Sequence, residues 1–92
     1  MDVVHNEPKH RFEVAIGGEF AMLQYRRNGN KITMYHTEVP PAAGGKGVGG
    51  ELAAAALEFA RTEKLAVVPA CSFVAKYIER HPGYADLLED RS

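Results

Sequence analysis

The sequence contains a single cysteine, Cys71, and no tryptophan. One cysteine forms neither an intramolecular disulfide nor a zinc site built from Cys-x-x-Cys pairs, and it is typical of a reducing compartment. Residues 1–7 have neither the basic nor the apolar segment of a signal peptide. No apolar run approaches the ~20 residues needed to cross a bilayer. These absences predict a cytoplasmic protein that is not inserted in a membrane.

Neither sign of charge dominates this chain. Eleven basic and twelve acidic residues leave a net charge of −1, so no basic field would attract nucleic acid or an anionic membrane surface. With 92 residues, the chain has the size of one domain, and it is too short for a barrel of about 250 residues. We expect one domain over residues 1–92, with a core at about residues 10–88, no metal site and a monomeric state.

Alternating apolar and polar residues predict an antiparallel meander in the first half of the chain. The strands are predicted at residues 10–16, 19–27 and 31–39. The glycine-containing turns between them are predicted at residues 17–18 and 28–30. In the first strand Phe12, Val14 and Ile16 share one face, the period of a half-buried strand. Residues 1–9 are polar and are expected to be a lead-in.

The second half of the chain predicts helices around one more strand. Alanine and leucine dominate residues 51–64, which are expected to form a helix. Residues 65–70 predict a strand buried on both faces, and residues 72–80 a second helix capped by Ser72. A strand reached through a helix normally runs parallel to the strand before it. The order β-β-β-α-β-α therefore predicts an α+β domain with a mixed, twisted sheet and helices packed on it; the polar tail 89–92 is expected to fray.

Glycine is concentrated between the third strand and the first helix, at Gly44, Gly45, Gly47, Gly49 and Gly50. Glycine lets a ligand approach the backbone closely, and the first helical turn has unpaired N–H groups that suit a phosphate. Lys46 adds a mobile cation. The alternative is a connection in which glycine only permits a tight turn, but five glycines in seven positions exceed that need, which favours anion binding.

Two common phosphate motifs do not fit this segment. Gly45, Gly47 and Gly50 match G-x-G-x-x-G, but the strand after the helix lacks the acidic residue of the dinucleotide-binding fold. A P-loop requires Ser or Thr after the lysine, and Gly47 follows Lys46 instead.

The segments Glu38-Val39-Pro40 and Gly45-Lys46-Gly47-Val48-Gly49, followed by an alanine-leucine helix, resemble the acetyl-CoA site of the GNAT acetyltransferases. Residues 36–40 and 69–78 resemble a small subgroup of N-acetyltransferase-like proteins. The resemblance covers residues 10–88 and implies a compact GNAT-like fold that uses acetyl-CoA. It implies that Val39 lies beside the pantetheine and that a loop holds the pyrophosphate on its backbone amides. That loop comprises Gly45, Lys46, Gly47, Val48, Gly49 and Gly50.

Cys71 and His36 are the candidate catalytic residues. Cys71 lies where the last strand meets the last helix, whose dipole lowers the pKa of a nearby thiol, and His36 is a candidate base on the third strand. The subgroup resemblance implies the same pair. The alternatives are a cysteine that serves as a small buried apolar group and a half-exposed polar histidine. Tyr77 and Tyr84 are expected to be core aromatics with solvated hydroxyls.

Two functions follow from these features. The first is an N-acetyltransferase that moves acetyl from acetyl-CoA to an amine, either directly or through a thioester on Cys71. The second is a CoA-binding or protein-interaction module without turnover. Two departures from the family pattern favour the second. Gly44 stands where the family loop begins with Arg or Gln, and Ile78 stands where larger members have a tyrosine that protonates the leaving thiolate. The sequence leaves the amine open.

Overall fold

A computed structural model of the chain describes residues 2–88, so the predicted fraying at 89–92 lies outside the described residues. The strands and α-helices are β1 (Val4–Asn6), β2 (Arg11–Ile16), β3 (Glu19–Asn28), β4 (Lys31–Glu38), α1 (Val48–Glu63), β5 (Ala66–Pro69) and α2 (Ser72–Arg80). One sheet contains them in the order β1-β2-β3-β4-β5. Neighbours among β1 to β4 are antiparallel, whereas β5 runs parallel to β4. The predicted α+β class with a mixed sheet is confirmed.

The amino terminus differs from the expected lead-in. β1 pairs antiparallel with β2, so part of the first nine residues belongs to the sheet. His5 holds this short strand in place: its ring stacks on Phe12 with the centroids 4.1 Å apart, and its Nε2 lies 2.6 Å from the hydroxyl of Tyr25. The prediction is wrong here because a strand of three residues has too few positions to show an alternating pattern.

Helix α1 packs its small and branched side chains on the sheet. It begins at Val48, three residues before the expected start at 51, and the cap residue Gly47 adopts the left-handed conformation (φ +73°). The prediction began later because Gly49 and Gly50 are poor helix formers. The fully buried residues of the helix include Leu52, Ala56 and Ala60, as their helical spacing predicts. Burying a leucine side chain of this kind stabilises the fold by about 1.5–3 kcal/mol.

The last strand lies at the edge of the sheet, and it is not buried on both faces as predicted. Val67 pairs with Ile32 and is fully buried, whereas Val68 pairs with Thr33 on the opposite face and is only half-buried. The difference arises because both helices contribute to a core on the Ile32 side of the sheet.

The start of helix α2 also differs from the prediction. Cys71 occupies the N-cap position and Ser72 is the first helical residue, with no side-chain cap hydrogen bond. Serine caps a helix from the position before it begins, so the predicted cap is misplaced by one residue. The predicted end of the helix at Arg80 is confirmed.

Candidate functional site

A cavity of about 340 Å³ lies between the end of β4 and the start of α1. Its lining consists of Val39, Ala43, Gly44, Gly45, Gly47, Val48, Gly49, Gly50 and Phe73. All of the predicted cofactor-binding residues except Lys46 therefore surround one cavity. Lys46 lines a neighbouring cavity of about 480 Å³ that also contacts β2.

Glycines in this segment serve two different structural purposes. Gly45 and Gly47 adopt left-handed φ angles of +80° and +73°, and a Cβ on either would meet nothing within 4 Å. Gly49 lies within α1, and a Cβ there would be only 2.7 Å from the Cζ atom of Phe73. The turn and the contact between the helices thus each require glycine, and the space beside Gly45 and Gly47 is open.

The first turn of α1 presents backbone donors to this cavity. Val48, Gly49 and Gly50 begin the helix, and the cap residue Gly47 provides no side-chain hydrogen bond. The first N–H groups of a helix have no acceptor within the helix, and the helix dipole adds partial positive charge there. The cavity therefore has the donors and the polarity that a phosphate group requires.

Cys71 is anchored between β4 and α2. Its backbone N–H donates to the carbonyl of Met34 at 2.9 Å, and its Sγ lies 3.5 Å from Oγ1 of Thr37. The side chain is half-buried. Partial burial disfavours the thiolate, but the Thr37 hydroxyl and the backbone N–H groups of Val74 and Phe73 outweigh it, so the pKa of Cys71 lies below its ordinary value.

A bulge in β4 separates His36 from this thiol. The pairs across the bulge are Tyr25 with Met34, Gln24 with His36 and Leu23 with Thr37, so Tyr35 is the additional residue. Directly paired residues share a face of the sheet, and Leu23 is fully buried. Thr37 therefore lies on the helix-covered face, and His36 lies on the opposite face.

The surroundings of His36 are polar and exposed. Its Nε2 lies 3.1 Å from Oε1 of Glu38, the residue two positions along the same face of β4. Among residues 2–88 no hydrogen bond joins His36 to Cys71. The structure thus brings Cys71 together with Thr37, and it does not bring together the two predicted catalytic residues; their catalytic roles stay predictions.

Both tyrosines in the carboxy-terminal part are half-buried and pack against the core, as predicted. The ring of Tyr77 stacks on His81 at 4.0 Å, and the Tyr84 hydroxyl donates to Oε2 of Glu58 at 2.9 Å. Ile78 is buried, and it occupies the position where larger family members have the tyrosine that protonates the leaving thiolate. The position that the resemblance assigns to the proton donor is therefore apolar and inaccessible.

Sequence reasoning did not identify two residues of this site, Thr37 and Phe73. Strict alternation along the strand would place Thr37 on the face opposite Met34, and the bulge that reverses this depends on pairing with β3. Phe73 fits a helical pair with Tyr77, a pattern that indicates core packing. Its proximity to the glycine loop depends on how the two helices meet.

This sheet, with its parallel last strand and its glycine loop before a helix, has the fold of a known acetyltransferase-like structure. The NMR structure of a GCN5-like candidate N-acetyltransferase from Staphylococcus aureus superimposes with a TM-score of 0.77 and 28% sequence identity, over 99% of this chain and 90% of that one. The predicted GNAT-like fold is confirmed.

The family follows from the sequence comparison. The model of the GCN5-related N-acetyl-transferase family matches residues 11–87, and the chain belongs to that family. Protein NATD1 of Homo sapiens is 36% identical over 83 residues, which cover 87% of this chain and 74% of that protein. Protein NATD1 of Gallus gallus is 35% identical over 85 residues, or 89% and 77% of the two chains. Within residues 2–88, no helix has both the length and the apolar character to span a bilayer.

Proposed function

We propose that this protein is an N-acetyltransferase that binds acetyl-CoA at the glycine-loop cavity and transfers the acetyl group to an amine. One observation carries the proposal. Val39, the residue after the end of β4, lines the cavity, and Thr37, two residues earlier on β4, contacts the thiol of Cys71. The end of β4 therefore connects the glycine-loop cavity with the thiol of Cys71.

The residues present fit the cosubstrate. Backbone amides of Val48, Gly49 and Gly50 bind the pyrophosphate at the start of α1. Lys46 contributes positive charge from the far side of the loop and partly replaces the side chain that Gly44 lacks. Val39, which is half-buried just past the end of β4, would lie beside the pantetheine. When bound, acetyl-CoA supplies an activated acetyl thioester.

Cys71 and His36 have separate tasks in this proposal because they lie on opposite faces of β4. The lowered pKa of Cys71 makes its thiolate available to accept the acetyl group in a relay. His36 would accept the proton of an amine that reaches the thioester from the uncovered face, beyond the point where the pairing of β4 with β5 ends at Met34 and Pro69. Its contact with Glu38 through Nε2 leaves Nδ1 as the basic atom. In direct transfer, only the task of His36 is needed.

Calorimetric titration with acetyl-CoA tests the binding site. We expect saturable binding by the natural chain and weaker binding by Gly47→Val, which cannot adopt the left-handed φ of the loop without strain. Gly83→Ala is the control, because a Cβ there meets nothing within 4 Å. Absence of binding at millimolar acetyl-CoA would remove the proposal.

Mass spectrometry separates the relay from direct transfer. After incubation with acetyl-CoA, the relay predicts an adduct of about 42 Da on Cys71, the mass of an acetyl group replacing a proton. Cys71→Ala abolishes this adduct. Turnover that proceeds without the adduct, and survives Cys71→Ala, establishes direct transfer.

The second candidate is a CoA-binding or protein-interaction module without turnover. The buried Ile78 at the proton-donor position favours it, as does Gly44 at the start of the loop, since fold alone does not establish activity. Release of CoA in the presence of a panel of amines discriminates between the two candidates. Binding of acetyl-CoA with no release above the uncatalysed rate supports the module.

The chain's organisation completes the proposal. We infer that residues 1–92 act as one domain and as a monomer in the cytoplasm. Light scattering on the purified chain measures the monomer directly, and a mass near twice 10.1 kDa would contradict it.

A further inference from the structure

Phe73 is the residue through which α2 reaches the glycine loop. Its ring lies against Gly49, where the nearest ring carbon would be 2.7 Å from a Cβ on that glycine. Even so, the side chain is 41% exposed. One side of the ring thus rests on the backbone of α1, and the other is open to solvent.

The exposed side faces the loop cavity. Phe73 is the only residue of α2 among those that line it, and it follows Cys71 by two positions. Its backbone N–H is one of the donors that stabilise the thiolate of Cys71. The ring therefore stands between the backbone donors of α1 and the thiol. A ligand with a phosphate at the start of α1 and a thioester at Cys71 would lie against it.

We propose that the exposed side of the Phe73 ring is the recognition surface for the arm of the cosubstrate, the chain of methylenes, methyl groups and amides between phosphate and thioester. This inference rests on the proposed function. Covering an exposed aromatic ring with apolar groups favours binding, because apolar surface of both the ring and the ligand is removed from water. Gly49 supplies the space that brings the ring close to the loop. Phe73 thereby positions the thioester without taking part in the chemistry.

Calorimetry with two ligands tests this role. Acetyl-CoA carries the arm, whereas 3′-phosphoadenosine 5′-diphosphate carries the phosphates and the nucleoside without it. We expect Phe73→Ala to weaken acetyl-CoA binding about tenfold, the effect of losing roughly half of a buried aromatic contact. Binding of the armless ligand should change less than about twofold. Phe73→Leu, which keeps an apolar side chain of similar reach, should recover much of the affinity.

Tyr35→Ala is the matched control, because Tyr35 is exposed to a similar degree at 36% and lines neither the loop cavity nor the cavity beside Lys46. It should leave both affinities unchanged. Thermal unfolding of each variant verifies that the chain is folded. Equal losses for the two ligands would assign Phe73 to shaping the loop, and unchanged acetyl-CoA binding would remove it from the site. Either result overturns the inference and leaves the proposed function standing, whereas a natural chain that binds neither ligand refutes both.

Discussion

The thiol of Cys71 and the hydroxyl of Thr37 face each other at 3.5 Å on the side of β4 that the helices cover. His36, the neighbour of Thr37 in the chain, lies on the other side. This relationship divides the candidate site into two halves. The thiol lies on the helix-covered face of the sheet, as the glycine-loop cavity does, whereas the imidazole lies on the opposite, solvent-exposed face.

The hydroxyl of Thr37 is expected to control the reactivity of Cys71. Thr37→Val removes the hydrogen bond with little change in volume, so the pKa of the thiol should rise toward its ordinary value. Alkylation by iodoacetamide near neutral pH should slow several-fold, since the thiolate is the reactive form. The pH dependence of the alkylation rate measures the change. His36→Gln is the control, and a shift of similar size in that variant would contradict the separation of the two residues.

Gly49 is expected to be intolerant of a side chain. In Gly49→Ala the new Cβ would lie 2.7 Å from the Phe73 ring, and relieving such overpacking costs about 1–3 kcal/mol. Urea unfolding measures the loss. Gly83→Ala should be nearly neutral because that Cβ would lie in open space. The double variant Gly49→Ala with Phe73→Ala should recover most of the stability, and an equal or larger loss in it would show that Phe73 is not the cause.

His5 is expected to make the fold sensitive to mild acid. Burial lowers the pKa of His5 below its model-peptide value of 6.5, and the nearby Glu7 only partly opposes this. The unfolded chain therefore binds a proton at this site more readily than the folded chain does. With respect to His5, the free energy of unfolding should be highest above about pH 7, where the imidazole is neutral in both states. It should decrease as the pH falls through 6.5 toward the lower pKa of the folded state.

Urea unfolding at several pH values between 5 and 8, roughly the range where histidine titrates, checks this dependence. His5→Phe keeps an aromatic ring on Phe12 and should flatten the profile in this range. The expectation fails if the profile of His5→Phe remains as steep as that of the natural chain.

His36 is expected to affect turnover and not cosubstrate binding. If it accepts the proton of the amine, His36→Ala should lower the rate of CoA release about 10²-fold or more. The affinity for acetyl-CoA should stay the same because His36 does not line the loop cavity. Release of CoA with the amine that gives the highest rate measures turnover, and calorimetry measures binding. Robust turnover by His36→Ala would reject this residue as the base while keeping the enzyme.

Local patterns predicted the hairpins and most of the helices well. The turns at Gly17–Gly18 and at Gly29 have the left-handed φ angles that such sequences favour. The strand after α1 is parallel to the strand before it, which follows from connectivity alone. β1 was not predicted, since its place in the sheet depends on the contact between His5 and a distant pair, Phe12 and Tyr25.

The sequence by itself determined the order of the elements from β2 onward, the glycine loop before α1 and the placement of Cys71 at the start of α2, because periodicity, turn residues and chain order are local properties. Only the tertiary structure decided which residues share the site. The bulge at Tyr35 arises from the register between two strands, and it turns Thr37 toward the thiol and His36 away. The crossing of α1 and α2 likewise decided that Gly49 accommodates Phe73, a contact between residues distant in the chain.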